Sequence, residues 1–234
     1  MSPEDVSVVI PALNESENVV RAIESARQNG AGEIIVCDGG SSDGTMEAAR
    51  RTGGTVITSP CGRGRQLRAG AAASTGAFLL FLHADSWLSD ACLPELVQRA
   101  NSMEPSRVGQ EGQRFWGAFC QRIGADGWMY RALERGNAAR VRYRGLPMGD
   151  QAMFVSRAFY DQVGGFADLP LMEDVDLSIR LRRSAWPQLL VGPVHTSARR
   201  WEKRGIVRQT LQNWGIQLFH ACGVSEQRLH QWYR

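Results

Sequence analysis

The chain has 234 residues, 43% of them hydrophobic and 22% charged, with 27 basic against 24 acidic side chains. That is enough chain for one large core, and a net charge of +3 excludes the strongly basic balance of a nucleic-acid binder. No apolar stretch approaches the roughly 18 residues that span a bilayer. The first strand begins within a few residues of Met1, with no basic-then-apolar leader ahead of it, so the expected location is the cytoplasm.

Strands and helices alternate through the first half. "VSVVIPA" (6–12) is a β-branched strand, and the next helix is expected from Asn14 as N-cap with Glu17 three residues on. "EIIVCD" (33–38) is a second strand, closed by "GGSSDGT" before a helix at 46–53. "GTVITSP" (54–60) is a third, and "GRGRQLRAGAAASTG" reads as a glycine-rich turn opening a small-residue helix. The fourth strand is the apolar run Phe78–Leu82, and it runs directly into His83, Ala84 and Asp85. This βαβ rhythm implies parallel strands joined by right-handed crossovers.

Beyond Met103 the pattern loosens. The polar run 104–114 is expected to be a mobile loop. Strands are expected at 115–121 and 151–157 with a helix near 125–140 between them, and "EDVDLSIRLRRSA" is a helix with acids in its first turn. Residues 203–232 predict an amphipathic terminal helix. No repeat or linker composition divides the chain. It is expected to be one domain over 1–234, a nucleotide-binding half at about 1–103 and an acceptor half at about 115–234.

The five cysteines are widely spaced, with no paired-cysteine or Cys/His motif, which predicts free thiols. All but one of the basic residues are arginine, Lys203 being the exception. A GC-rich genome explains that bias as well as phosphate recognition does.

In an open α/β sheet, ligands bind beyond the carboxyl ends of the strands. Here those ends carry Asn14 and Glu15, then Asp38, then Arg63 and Arg65, then Asp85. Each alone could cap a turn, but four in succession can converge on one crevice. There is no Gly-Lys-Ser/Thr phosphate loop, and no GxGxxG follows the first strand. An unpaired carboxylate at a strand exit costs several kcal/mol if buried. It becomes tolerable where it meets a hard cation shared with phosphate oxygens.

"SVVIPALNESENV", "EIIVCDGGSSDGT", "RGRQLRAGAAASTGAFLLFLHADS" and "MEDVDLSIRL", in that order, resemble the inverting family 2 glycosyltransferases of the GT-A fold over about residues 6–184. "GRGRQ", "FLHAD", "GDQAMFVSR" and the Trp-rich tail further resemble a small bacterial subfamily associated with arsenosugar biosynthesis. The resemblance implies an α/β three-layer sandwich around a mostly parallel mixed sheet. It also implies a nucleotide-sugar donor, most simply a UDP-sugar, and Mg²⁺ or Mn²⁺ as cofactor.

By the same resemblance, Asp38 holds the nucleotide base with Pro11, Leu13, Asn14, Glu15 and Gly39 beside it. Arg65 and Gln66 line the diphosphate path. His83, Ala84 and Asp85 stand where relatives carry a DxD motif, with Asp85 as metal ligand and His195 as a further one. Asp174 is the catalytic base and Glu173 a positioning residue. Gly149, Asp150, Glu173, Arg199 and Trp201 border the acceptor. Arg199, Arg200 and Trp201 keep only part of the stretch found in processive relatives, which argues against a polysaccharide synthase.

Two other readings compete. A nucleotidyltransferase shares this topology, but its glycine-rich basic loop after the first strand has no counterpart in "PALNESENV". A non-catalytic nucleotide-binding regulator would not need Asp85, Glu173 and Asp174. The acceptor is left open between a small molecule and a lipid-linked one. The terminal helix, through Trp214, Leu218 and Phe219, could pack on the sheet, meet a second copy in a homodimer, or touch a membrane from one side.

Overall fold

The computed structural model describes residues 1–102, 114–221, 224, 228 and 232. The loop expected at 104–114 therefore lies outside the described residues except for Arg114, as does most of the chain beyond 221. Eight strands form one sheet: β1 (Val6–Ala12), β2 (Glu33–Asp38), β3 (Thr55–Thr58), β4 (Phe78–Phe81), β5 (Ser86–Leu88), β6 (Trp116–Ile123), β7 (Met153–Ser156) and β8 (Gln188–Thr196). Their order across the sheet is β3-β2-β1-β4-β7-β6-β8-β5. The first four are parallel, in a register that sets Ala12 beside Asp38 and Val9 beside Phe81. Strand β7 runs antiparallel to both β4 and β6, while β6 and β8 are parallel.

Every residue of β1 is buried, as its unbroken apolar run requires of a strand covered on both faces. Val6, Val8 and Ile10 face α1 (Val19–Gln28), which packs Val19, Ala22, Ile23 and Ala26 against them. Val9 faces the other layer, with Leu67 and Ala71 of α3 (Arg63–Ala73). That layer also holds Phe159 of α6 (Arg157–Gln162) and Leu177 and Leu181 of α7 (Glu173–Arg182). Two cores separated by one sheet make the three-layer sandwich. Gly70 lets α3 lie close, because a side chain there would meet Val9 and Cys37. Any larger residue would push the helix off the sheet, at a cost of about 1–3 kcal/mol.

The remaining helices are α2 (Thr45–Arg51), α4 (Cys92–Asn101), α5 (Trp128–Arg144), α8 (Arg199–Arg204) and α9 (Ile206–Ala221). The last two replace the first part of the single helix expected at 203–232, and Gly205, at a φ of +81°, separates them.

Strand β5 was not expected. It has three residues and pairs antiparallel with β8, through Trp87 opposite His195. A segment of the expected nucleotide half is thereby stitched to the far edge of the acceptor half. The four described cysteines are free thiols. Burial pushes Cys37 up to about 12 and Cys92 up to about 11, so neither is a ready nucleophile.

Candidate active site

The exit of β1 does not begin a helix at Asn14. That residue sits at a φ of +54°, the left-handed conformation that asparagine tolerates better than most side chains. Its N–H donates to Ser41 Oγ (2.9 Å), and its side-chain oxygen accepts from the Ser42 N–H (2.9 Å). Helix α1 starts at Val19 after Asn18. Asn14 therefore clips the β1 loop to the β2 loop. The expected capping box is absent because the N–H and the side-chain oxygen of Asn14 are both engaged with the β2 loop.

Asp38 ends β2 fully buried. Its Oδ2 accepts from the Gly40 and Ser41 N–H groups (2.8 Å each), while Oδ1 is buried with no donor among the described residues. A buried acceptor left in that state fits a donor from outside the protein. Gly39 donates its N–H to the Ala12 carbonyl (2.9 Å), and Pro11 lies buried in the β1–β2 register opposite Cys37. Leu13 is exposed beside them.

Gln66 does not line this space. It is buried, and its amide donates to the Ala12 and Cys37 carbonyls (2.7 and 2.8 Å), strapping β1 to β2 under Gly39. Arg65, also expected on the diphosphate path, pairs on the surface with Asp168 (2.6 Å).

A crevice of about 140 Å³ opens beyond β4. His83, Asp85, Asp150, Asp174 and Trp201, all expected at the site, share its wall with Arg63, Thr196 and Gln209. The turn carrying His83 and Asp85 is fixed by its backbone. Ser86 donates its N–H to the His83 carbonyl, and Ser197 donates its own to the Asp85 carbonyl (3.0 Å each).

Glu173 and Asp174 open α7, where N–H groups lacking helical partners favour carboxylates. Their environments differ. Glu173 is buried in an ion pair with Arg63, 110 residues away in sequence. Asp174 Oδ2 accepts from the Gly149 N–H and Oδ1 from the Val175 N–H (2.8 Å each). Gly149 carries no side chain where one would run into the His83 ring.

Asp150 sits deeper. Burial pushes its carboxyl up, and nearby Asp174 adds to this, while Arg140, a hydrogen bond from Gln121 Nε2 (3.0 Å) and Arg63 pull the other way. Gln121 is held in turn by Asn137, and Arg140 by Asn137 and Gln151. The sequence reading missed Arg63 as the partner of Glu173, though it lies two residues from Arg65 in "GRGRQ". Gln121 and Thr196 carry no motif that would have revealed them.

Two further expectations are corrected. His195 is not in the crevice. Thr196, its neighbour on β8, faces inward, so alternation sends His195 to the opposite face, where its ring stacks on Trp87 (5.4 Å between centroids, 3° between planes). Arg21 covers Trp87 at 3.3 Å from the ring centroid, and burial together with Arg21 holds the His195 imidazole below its usual value. Arg199, expected at the acceptor, reaches back to both carboxylate oxygens of Glu15 (3.1 Å each) and ties α8 to the β1 loop.

Among the described residues no three His, Cys, Asp or Glu side chains gather as a ready cation cage. The donor set still suits a hard divalent cation. Such ions are held by one or two carboxylates plus substrate phosphates and water, and Asp85 faces a crevice that it shares with Asp150, whose buried Oδ1 has no donor among the described residues.

Residues 7–161 match the family described as Glycosyl transferase family 2. The chain belongs to that family. Among curated relatives of this family 2 chain, the glycosyltransferase AglJ of Haloferax volcanii is 37% identical over 68 residues, 29% of this chain and 22% of that protein. An uncharacterized glycosyltransferase of Mycobacterium tuberculosis is 35% identical over 98 residues, 42% of this chain and 44% of the other. The chain thus spans less than half of each. Solved structures share the fold. TarS of Staphylococcus aureus superposes with a TM-score of 0.61 at 15% identity, over 85% of this chain and 61% of that one. Glucosyl-3-phosphoglycerate synthase of M. tuberculosis, solved with Mg²⁺ and UDP, gives 0.55 at 21% identity, over 82% and 69%.

Proposed function

We propose that this family 2 protein transfers a sugar, with inversion, from a nucleoside diphosphate donor to a small or lipid-linked acceptor, assisted by Mg²⁺ or Mn²⁺. The observation that carries the reading is the meeting of Asp85 and Asp174 in one crevice, 89 positions apart in sequence. One lies at a strand exit, where a donor's diphosphate can be met, and the other at a helix start across from it.

In this reading the Asp38 Oδ1 accepts from the base, with Pro11, Leu13, Asn14, Glu15 and Gly39 shaping its surroundings. Arg199 holds Glu15 in place. Asp85 binds the divalent cation, with His83 beside it and Ala84 as the small residue between them. When bound, the cation neutralises charge developing on the departing diphosphate. Solved structures of the same fold carry UDP with Mg²⁺, UDP-glucose with Mn²⁺, and UDP-GlcNAc, which supports UDP-sugars as first probes.

Asp174 accepts the proton of the acceptor hydroxyl as the new bond forms on the face opposite the leaving group. The two N–H donors fix its carboxylate before substrate arrives, so little orientation is lost in the transition state. Glu173 cannot share that task while it is paired with Arg63; it positions the α7 start instead. Asp150, Gly149 and Trp201 border the acceptor.

The reading is tested by screening nucleotide sugars for thermal stabilisation with and without Mn²⁺, then measuring nucleoside diphosphate release with candidate acceptors. Stabilisation by one donor only in the presence of the metal supports it. No stabilisation by any nucleoside diphosphate sugar, with metal present, overturns it.

A further inference from the structure

Behind the acceptor wall, α5 and α9 enclose a much larger space, an open groove of about 850 Å³. Its lining is mainly apolar and includes Trp128, Leu133, Tyr143, Ile206, Val207 and Leu211. Nine large apolar side chains are exposed among the described residues, and four of them, Trp128, Tyr143, Val207 and Leu211, are here, between 58% and 79% exposed. Concentration of such groups in one place marks an interaction surface rather than ordinary scatter.

Charge narrows the occupant. The sequence of α5 together with 199–221 holds ten basic residues and two acidic ones, whereas the rest of the chain holds 17 and 22. One end of an otherwise acidic molecule is therefore strongly basic. Arg135, Arg142, Arg144 and Arg208 stand exposed on these helices. A second copy of the chain would set this charge against itself. Trp and Tyr at the rim, with long arginine side chains whose stems are apolar and whose heads are wet, match the boundary between headgroups and acyl chains.

We infer that the α5–α9 face docks on an anionic lipid surface. Trp128, Tyr143, Val207 and Leu211 enter the acyl boundary while the arginines meet phosphate headgroups. Among the described residues no helix is long and apolar enough to cross a membrane, so the contact is from one side. Helix α9 gives Leu211 to the groove and Gln209 and Ile216 to the crevice, so the crevice would open beside the lipid plane. The inference does not depend on the transfer chemistry.

Sedimentation of the full chain with vesicles tests it, using phosphatidylcholine alone and phosphatidylcholine mixed with phosphatidylglycerol. The chain should pellet with the mixed vesicles, less so as salt rises, and hardly at all with the neutral ones. The Trp128→Ser/Leu211→Ser double variant should keep the wild-type melting temperature, since both residues are exposed. Its partition onto mixed vesicles should fall about tenfold or more, because burying one such side chain is worth over a decade. Arg144→Ala/Arg208→Ala should fall several-fold on mixed vesicles only. Absence of binding to mixed vesicles at low salt overturns the inference, as does binding that the apolar double variant leaves intact. A lipid-free dimer that the same variant dissociates would assign the face to a second copy and overturn it too.

Discussion

Gly149 donates its N–H to Asp174 Oδ2 at 2.8 Å, and the missing side chain of that glycine is what admits His83 Nε2 to the same spot. The turn after α5, the start of α7 and the exit of β4 are thereby locked to one another at the crevice. Gly149→Ala adds a single methyl that must push His83 aside, while the Asp174 carboxylate stays in ordinary contact with it. An added methyl in a packed site costs about 1–3 kcal/mol. If the shift carries through the Gly149 N–H and turns the Asp174 carboxylate, turnover should drop by about tenfold or more. Unchanged turnover would show that the lock has no bearing on chemistry.

Asp38 offers a cleaner test of the base-binding role than alanine would. In Asp38→Asn the amide oxygen can still accept from Gly40 and Ser41, so the turn survives. The atom in the Oδ1 position becomes an N–H donor facing the ligand's donor. A lost hydrogen bond to a charged group is worth about 1.5–3 kcal/mol, so nucleotide affinity should weaken by about 10- to 100-fold with or without metal. Titration calorimetry with the free nucleoside diphosphate measures it, and wild-type affinity would remove Asp38 from the site.

Asp85→Ala should abolish transfer, as chelation should in the wild type, a loss of several kcal/mol of transition-state stabilisation or about a thousandfold in rate. Binding of the uncharged nucleoside should persist. Full activity of the variant in excess chelator is the result that would sink the metal role.

Much of this was legible in the sequence, for reasons that also explain the failures. The apolar runs of β1, β2 and β4 are long and end in polar groups, so the strands and the residues leaving them could be read directly. Period-2 alternation flips a side chain's face with every residue, so a resemblance that puts a metal-binding histidine near the end of β8 fails by one position: Thr196, not His195, reaches the crevice. Asn14 carried a helix-start pattern, but contacts with Ser41 and Ser42, distant in sequence, decided its conformation. The ion pair between Arg63 and Glu173 and the path from Gln121 to Asp150 exist only once the sheet has folded. No local pattern encodes them.

Stability should respond to acid at a place remote from the crevice. Burial pushes the Glu33 carboxyl up, but the Ser7 and Thr75 hydroxyls (2.5 Å each) and the Thr75 and Gly76 N–H groups outweigh it and bring it down to about 2. A carboxyl depressed in the folded state stabilises the fold above its unfolded value of 4.5, and that contribution vanishes as pH falls toward about 2. Because the group is partly solvated, its worth is discounted to about 1 kcal/mol. Urea midpoints of wild type and Glu33→Gln should differ near neutrality and converge in acid. A gap that does not change with pH would contradict this.

The acidic pair at the start of α7 decides whether the crevice catalyses or only binds. Glu173 is committed to Arg63, whereas the Asp174 carboxylate, oriented by two N–H groups, faces the crevice. Asp174→Asn keeps the shape and the bond from Gly149, but its NH₂ cannot accept from Val175, so a stability loss of about 1 kcal/mol is expected. The metal–nucleotide complex should still bind nearly as tightly as in wild type. A placed base contributes about 10² to 10⁴-fold in rate, so transfer should fall by that factor, a barrier increase of about 3 to 5 kcal/mol. Hydrolysis of the donor by water needs the same base and should fall in parallel. Glu173→Gln should act differently, weakening acceptor affinity at least as much as turnover, because it loosens the α7 start without removing the base. If Asp174→Asn transfers at the wild-type rate while Glu173→Gln is dead, the two roles are exchanged. If neither slows a chemistry-limited turnover, the pair serves only to stabilise a helix N-terminus.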